Sequence, residues 1–261
     1  MIVQNVGTEA LQKLRVQLSI VIPVYNQEKS VSAALERIGR VIESTGLSYE
    51  LIVVNDGSRD GTMTAIRSQA SHNSNLRMVS YSQNVGKGYA VKTGIANSHG
   101  DSVIFTDGDL DISPNMISEY IRQLQDCDLV IASKRHPQSK VNAPASRKFL
   151  SRAFNLVVRI LTGISIKDTQ SGLKAGNGTA LRAIFKLMLV KRYAFDVELL
   201  TIASLLKMQI KEMPIEINLD RKFKVKDIAR MFIDVLAISY RYRVRRWYQR
   251  QLEMEAATLS R

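Results

Sequence analysis

The sequence repeats one pattern along its first half: a short apolar run, a polar turn, and a segment whose apolar residues recur at helical spacing. The predicted strands, with the turns that follow them, fall at residues 18–25, 50–58, 76–81, 102–106 and 128–133. Strands that alternate with helices in this way form parallel sheets with helices packed on both faces. The pattern therefore predicts an α/β fold with a doubly wound, mostly parallel sheet flanked by helices.

The fourth strand runs directly into three carboxylates at alternating positions, Asp107, Asp109 and Asp111. In open α/β sheets, ligands bind just beyond the carboxyl ends of the strands. Carboxylates in such a position repel one another unless a positive charge lies between them. A hard divalent cation with oxygen ligands suits the position, and such a cation would also hold a diphosphate.

Other interpretations of this stretch exist. Asp-Gly-Asp also suits an acidic surface turn. A calcium-binding EF-hand loop beginning at Asp107 would need Gly at its sixth position and Glu at its twelfth, but Ile112 and Ser118 stand there, which excludes that loop. A phosphatase with an aspartate nucleophile remains open but is less favoured, because Thr or Val would be expected in place of Asp111.

Polar side chains follow the other predicted strands as well. Asn26 and Glu28 follow the first strand, Asp56 ends the second, and Lys87 follows the third within Asn-Val-Gly-Lys-Gly. The carboxyl ends of parallel strands meet at one edge of a sheet, so these residues should converge with Asp107. That convergence predicts a nucleotide-diphosphate site. The Gly-Lys-Gly turn lacks the spacing of a P-loop.

Composition narrows the classes of partner. The net charge of +13 implies an anionic partner: nucleic acid, an acidic membrane surface or a phosphorylated ligand. The single cysteine, Cys127, excludes an internal disulfide framework. Residues 1–16 lack the apolar core of a signal peptide, and no apolar stretch is long enough to predict a transmembrane helix.

The second half combines basic and apolar segments. Residues 134–144 form a polar, basic loop, and Arg147 lies at the start of a helix whose other positions are largely apolar. Basic residues beside an apolar surface suit a lipid phosphate, although a solvated helix end beside an ordinary core face has the same pattern. Residues 211–218 predict an edge strand, because Pro214 cannot donate a ladder hydrogen bond.

Near the C-terminus, a predicted helix at residues 227–240 precedes a segment that alternates arginines with aromatic residues, residues 241–248. This pattern is typical of an interfacial membrane helix. RNA binding and oligomerisation are alternatives, but no nucleic-acid-binding module is recognisable, so nucleic acid is the less favoured partner. Residues 253–261 are expected to be a frayed tail.

Several motifs together resemble the family-2 inverting glycosyltransferases of GT-A fold. They lie, in chain order, at residues 23–26, 54–62, 84–88 and 106–109. Two later motifs, residues 168–174 and 193–200, resemble the dolichyl-phosphate glucosyltransferases, with the dolichol-phosphate mannose synthases as close relatives. The chain departs from the family pattern at Asn55, Gln27 and Asp111.

The resemblance implies transfer of a hexose, glucose, from a nucleotide-diphosphate sugar, UDP-glucose, to dolichyl or another polyprenyl phosphate. The transfer would invert the anomeric carbon and give a β-linked lipid-phosphate sugar, with Mg²⁺ or Mn²⁺ as cofactor. Two alternatives stay open within the fold: GDP-mannose as the donor, or a polysaccharide or protein hydroxyl as the acceptor. A catalytically silent membrane- or RNA-associated binding module is the alternative from another class.

The resemblance also implies roles for individual residues. The nucleotide sugar would be bound by Pro23, Tyr25, Asn26, Glu28, Asp56, Lys87, Asp107 and Gln170. The metal would be bound by Asp107, Asp109 and Asp111. The catalytic residues would be Asp109, Arg135, Arg147 and Asp168, with the two arginines holding the acceptor phosphate.

The predicted organisation is a glycosyltransferase domain at residues 1–218 and a basic amphipathic, membrane-associating C-terminal helix and tail at residues 219–261. The nucleotide-binding half would span residues 17–133 and the acceptor half residues 134–218. The expected location is peripheral, on the cytoplasmic face of a plasma membrane or of the endoplasmic reticulum.

Overall fold

A computed structural model describes residues 16–108, 114–218 and 225–259. The strands are β1 Leu18–Val24, β2 Tyr49–Asp56, β3 Leu76–Tyr81, β4 Ser102–Phe105, β5 Leu129–Ala132, β6 Lys140–Asn142, β7 Lys174–Asn177, β8 Ile210–Met213 and β9 Glu216–Asn218. The helices are α1 Val31–Glu43, α2 Thr62–Ala70, α3 Lys87–Ala96, α4 Ile117–Gln123, α5 Ala145–Thr162, α6 Gly178–Leu187, α7 Phe195–Leu205, α8 Val225–Ser239 and α9 Trp247–Leu259. A 3₁₀ turn, Pro114–Met116, precedes α4, and a π-helical turn, Tyr240–Val244, follows α8.

Seven strands form one sheet in the order β3-β2-β1-β4-β7-β5-β8. The strands are parallel to their neighbours except β7, which is antiparallel to both β4 and β5. The predicted doubly wound, mostly parallel sheet is therefore confirmed. Strands β1, β2 and β4 are neighbours, so the turns that follow them lie at one edge of the sheet.

Both faces of the sheet are covered by helices, which is why the central strands are apolar on both sides. On one face, α1 packs through Val31, Leu35 and Ile38, the positions at the helical spacing seen in the sequence. On the other face, α3, α6, α7 and α8 share a second core with the strands. Each layer thus buries its apolar side against the sheet.

Pro214 separates the predicted strand at residues 211–218 into two pieces. The first piece, β8, is the edge strand of the main sheet, as predicted. The second piece, β9, pairs in parallel with β6 inside the predicted basic loop. Proline lacks the N–H that a continuous ladder would require at this point.

The C-terminal segment differs from the expectation. The predicted frayed tail at residues 253–261 is wrong as far as Leu259, because α9 is helical to that residue. Tyr248 ends the segment predicted to be an interfacial membrane helix, but it is completely buried, and its hydroxyl donates to Glu198 Oε1 at 2.5 Å. Part of the arginine–aromatic motif therefore belongs to the core. Across the described ranges, no helix has both the length and the apolar character needed to cross a bilayer.

Gly94 sets the distance between α3 and β1. A Cβ atom at Gly94 would lie 2.2 Å from Val21 Cγ1, so the helix can approach the strand only without a side chain there. We predict that Gly94→Ala lowers the free energy of unfolding by about 1–3 kcal/mol through overpacking, measured by chemical denaturation. Gly39→Ala in α1 is the control, because its Cβ would meet nothing closer than Asn73 Nδ2 at 4.0 Å. An equal effect of the two substitutions would contradict the packing account.

Candidate active site

Asp56, the last residue of β2, organises the turn that follows β3. Its carboxylate is buried, with Oδ1 accepting from the Val85 amide at 2.8 Å and Oδ2 accepting from the Gly86 amide at 3.0 Å. Oδ2 also accepts from Asn84 Nδ2 at 2.9 Å. The predicted contact of Asp56 with the nucleotide stays a prediction. In this structure the carboxylate fixes the position of residues 84–86.

Gly86 meets a second constraint at the same turn. Its φ of +124° belongs to a region that side chains disfavour, and a Cβ atom there would lie 2.5 Å from the Lys191 carbonyl oxygen. The Tyr89 amide donates to that carbonyl at 3.0 Å. The turn at residues 84–88 is therefore held between Asp56 on one side and the segment before α7 on the other.

Lys87 follows this turn and forms an ion pair with Asp107 Oδ1. The other carboxylate oxygen of Asp107 faces Gly172, where a Cβ atom would lie 2.3 Å from Oδ2. Any larger residue at Gly172 would displace the carboxylate. The structure therefore brings together Lys87 and Asp107, as the convergence of strand ends predicts, and Asp56 is connected to them through residues 84–87.

The loops after β1 and β2 are hydrogen-bonded to one another. The backbone N–H of Asn26 donates to Ser58 Oγ at 2.9 Å, and the side-chain Oδ1 of Asn26 accepts from the backbone N–H of Arg59, also at 2.9 Å. Glu28 accepts from the Gly61 amide at 3.1 Å. These predicted nucleotide-site residues thus fix the two loops relative to each other.

Pro23 and Tyr25 differ in what they offer a ligand. Pro23 lies inside β1 and is buried, so it shapes the strand end and presents no surface. Tyr25 lies just beyond the strand and is 42% exposed, which leaves its ring available to a bound group.

Asp168 and Gln170, predicted for the sugar pocket, lie in a loop before β7. Asp168 is buried and accepts from both the amide and the ammonium of Lys134, at 2.7 and 2.9 Å. Burial favours the neutral acid, but Lys134 outweighs it and lowers the pKa of Asp168. Lys134 also donates to the Gln170 carbonyl, and the Gln170 amide donates to Asp168 Oδ1 at 3.2 Å. Lys134, from the loop after β5, thus holds the Asp168 loop in place, and sequence reasoning missed this role.

A second buried ion pair was also missed. Lys174 in β7 is fully buried, and its ammonium lies 2.7 Å from Asp196 Oδ1 and 5.7 Å from the Phe105 ring centroid. Burial lowers the pKa of Lys174 and raises the pKa of Asp196, while their mutual attraction opposes both shifts. Both residues interact electrostatically with Lys87, so this pair belongs to the same site.

Of the predicted acceptor arginines, Arg147 lies in α5 and Arg135 contacts that helix from the loop after β5. Arg135 is partly buried and donates to the Ser151 carbonyl at 2.8 Å. Burial lowers the pKa of Arg135, and the neighbouring Arg152 and Arg159 lower it further. Arg147 lies in the first turn of α5, four residues before Ser151 and therefore on the same side of the helix. The arrangement concentrates positive charge beside the Asp168 loop.

The predicted metal ligands are described only in part. Asp109 and Asp111 lie outside the described residues, and within the described ranges no cluster of at least three His, Cys, Asp or Glu side chains is suited to a metal. Asp107 fits the role, since its carboxylate is partly exposed and Gly172 leaves it room. Carboxylate oxygen is the ligand that Mg²⁺ and Mn²⁺ prefer.

Solved structures share this architecture. Glucosyl-3-phosphoglycerate synthase from Mycobacterium tuberculosis, in complex with Mn²⁺, UDP and glucosyl-3-phosphoglycerate, matches with a TM-score of 0.66. The match covers 92% of this chain and 84% of that one at 20% sequence identity. The same enzyme with Mg²⁺ and UDP matches with a TM-score of 0.64 at 21% identity, over 90% of this chain and 82% of that one. The fold is that of the GT-A glycosyltransferases.

Sequence comparisons narrow the class to one family. The sequence model of the family Glycosyl transferase family 2 matches residues 19–197, and the chain belongs to that family. A dolichyl-phosphate beta-glucosyltransferase of Trichomonas vaginalis is 32% identical over 249 residues, which cover 89% of this chain and 73% of the relative. Enzymes with the same name from Drosophila melanogaster and Homo sapiens are each 30% identical, with 88% of this chain and 77% of the relative covered.

The Lys134–Asp168 pair yields a stability prediction. We expect Lys134→Met to lower the free energy of unfolding by about 3–5 kcal/mol, because the Asp168 carboxylate would remain buried without its cation. Chemical denaturation at neutral pH measures the effect. Lys148→Met, on the exposed side of α5, should change it by no more than about 0.5 kcal/mol. Indistinguishable effects of the two substitutions would show that Asp168 does not depend on Lys134.

Proposed function

We propose that this chain transfers glucose from UDP-glucose to dolichyl phosphate or another polyprenyl phosphate, with inversion at the anomeric carbon. The observation that carries the proposal is the Lys87–Asp107 pair, held at the sheet edge by the turn that Asp56 fixes. The pair lies beyond the carboxyl ends of the strands, the region in which open α/β sheets bind their ligands. The relatives named for this reaction, at about 30% identity over most of the chain, support the same donor and acceptor.

On the donor side, Lys87 has a defined task. Its ammonium balances the charge of Asp107, and it would bind a diphosphate oxygen once a cation binds the carboxylate. Asp107, with Asp109 and Asp111, would hold Mg²⁺ or Mn²⁺. When bound, such a cation would supply positive charge beside the departing diphosphate, where negative charge builds up during transfer.

On the acceptor side, the reaction requires alignment more than proton removal. A polyprenyl phosphate is already an anion at neutral pH, so its oxygen can attack without a strong general base. Arg135 and Arg147 would hold this phosphate and tolerate a second anion beside the diphosphate. Asp168 and Gln170, fixed by Lys134, would line the sugar pocket. Attack from the face opposite the diphosphate gives the β-linked product.

A membrane-facing surface would deliver the lipid acceptor. Exposed apolar side chains lie on α5, on α8 and on the π-helical turn: Phe149, Leu156, Ile160, Phe232, Ile233, Leu236, Tyr240 and Val244. The two helices pack together, with Ser239 donating to the Leu161 carbonyl at 2.7 Å and Arg243 donating to the Ile160 carbonyl at 3.1 Å. Apolar groups beside basic ones suit an interfacial contact with a bilayer, and we call these eight residues the apolar surface.

Donor, acceptor and metal can be tested in one assay. Labelled UDP-glucose and GDP-mannose are incubated in turn with dolichyl phosphate and Mn²⁺, and label in the chloroform phase is counted. We expect label from UDP-glucose and little from GDP-mannose, and we expect a chelator to abolish it. Predominant transfer from GDP-mannose would replace the proposed donor, and no transfer from either would remove the proposed reaction.

Asp109→Ala tests the metal role in the same assay. We expect a loss of at least about a hundredfold in transfer rate, because a carboxylate that holds charge at the diphosphate is removed. Asp126→Ala, an exposed carboxylate outside the site, is the control and should transfer normally. Circular dichroism should show that both variants are folded. Full activity of Asp109→Ala would contradict its assignment.

The apolar surface can be tested by flotation with phosphatidylcholine vesicles. Ile233→Asp and Phe149→Asp should each reduce the bound fraction severalfold, because 63% of Ile233 and 74% of Phe149 is exposed and a charge opposes insertion. Met63→Asp in α2, on the opposite face of the sheet, should bind normally. Point substitutions suit the test better than deletion of the C-terminal segment, whose Tyr248 belongs to the core. Unchanged binding by both variants would remove the proposed surface.

A further inference from the structure

A cavity of about 260 Å³ lies outside the active site, between α8 and the segment that joins α6 to α7. Leu189, Val190, Lys191 and Arg192 form one wall, and Asp234, Ala237 and Arg241 form the other. The side chains of these residues have no role in the transfer reaction described above, although the Lys191 carbonyl contacts the Gly86 turn. The side chains of Leu189, Lys191 and Arg192 are exposed, so the cavity opens to the surface.

Both walls are fixed by the same buried carboxylate, Glu198 of α7. Its Oε2 accepts from the Leu189 and Val190 amides at 3.0 and 2.7 Å. Its Oε1 accepts from Arg241 at 3.2 Å and from the Tyr248 hydroxyl at 2.5 Å. Glu198 is completely buried, so these bonds are protected from water, and the cavity has a defined shape before any ligand enters.

The charge in the cavity favours an anion. Arg241 and Glu198 offset one another, which leaves Lys191 and Arg192 against the single carboxylate of Asp234. Ammonium and guanidinium groups at the rim of a concave surface bind phosphate oxygens well. The positive excess therefore suits a phosphate group.

The surroundings indicate that the phosphate belongs to a lipid. Leu189, a wall residue, is 48% exposed. Helix α8, which forms the opposite wall, also carries Phe232, Ile233 and Leu236 of the apolar surface. A free phosphate would not require apolar side chains beside the cavity, whereas a headgroup in a bilayer brings acyl chains to them.

We propose that this cavity binds the phosphate of an anionic lipid headgroup and thereby orients the chain on an acidic bilayer. The proposal rests on the membrane-facing apolar surface of the proposed function, but not on the transfer reaction. The cavity wall continues to the Lys191 carbonyl, which contacts the Gly86 turn of the active site. The lipid phosphate would therefore bind next to the turn that positions Lys87.

The test is vesicle flotation of the full chain on phosphatidylcholine, with and without phosphatidic acid. The double variant K191A/R192A should lose about tenfold or more of the affinity gained from phosphatidic acid, since each cation contributes severalfold near an anionic surface. The double variant R37A/R40A is the control. It removes the same charge from the exposed side of α1, on the other face of the sheet, and should retain the gain within about twofold.

A second variant separates a shaped site from diffuse attraction. Ala237→Leu fills the cavity without changing the charge, so it should also abolish most of the gain from phosphatidic acid while leaving binding to phosphatidylcholine intact. A full gain in Ala237→Leu, or equal losses in the two double variants, would overturn the cavity as a binding site.

Three further outcomes concern the ligand and the membrane. If inorganic phosphate binds without vesicles and phosphatidic acid adds nothing, the ligand is a free phosphate and the lipid proposal is overturned. If the chain binds neither kind of vesicle, the apolar surface fails, and the cavity proposal fails with it. Binding to phosphatidylcholine without any preference for phosphatidic acid overturns the cavity proposal alone.

Discussion

The carboxylate of Asp56 is the interaction on which the arrangement of the site depends. It accepts hydrogen bonds from two consecutive backbone amides, those of Val85 and Gly86. The next residue, Lys87, begins α3 and reaches Asp107. Hydrogen bonds to a charged acceptor are among the stronger ones in proteins, and burial strengthens them further. The Asp56 side chain, at the end of β2, thus positions the Lys87 ammonium beside Asp107, just after β4.

Three carboxylates of the site each lie beside a lysine: Asp107 with Lys87, Asp168 with Lys134, and Asp196 with Lys174. The pairs act on one another, since Lys87 and Asp107 both influence the pKa of Asp196. Carboxylates gathered without these cations would repel one another and would bind protons instead of staying ionised. Pairing offsets this repulsion and holds the carboxylates in place, which is what a site needs to hold a cation and a diphosphate.

Much of this fold could be predicted from the sequence, because the strong signals are local. The apolar run of β1 and the helical spacing of α1 are each complete within one short segment. Strand β7 could not be predicted in this way. Its sequence, Lys-Ala-Gly-Asn, lacks an apolar pattern. The burial of Lys174 depends on an ion pair with Asp196, which lies further along the chain in α7.

The same limit applies to the site and to the C-terminal segment. Lys134 and Asp168 are 34 residues apart, and nothing in either local sequence indicates that they pair. Tyr248 sits among arginines, a pattern typical of a membrane surface, yet Glu198 holds it in the core across 50 residues. Sequence patterns record the amphipathic character of a segment, but not which of its polar side chains find a buried partner elsewhere.

A crystal structure of the chain with UDP and Mn²⁺ would test the central claim most directly. The account predicts density for the metal on the carboxylate of Asp107, with the diphosphate between that metal and the Lys87 ammonium. It also predicts that the Asp56 bonds to the Val85 and Gly86 amides persist in the complex. A nucleotide bound on another face of the sheet, or at this edge without contact to Asp107 and Lys87, would contradict the account.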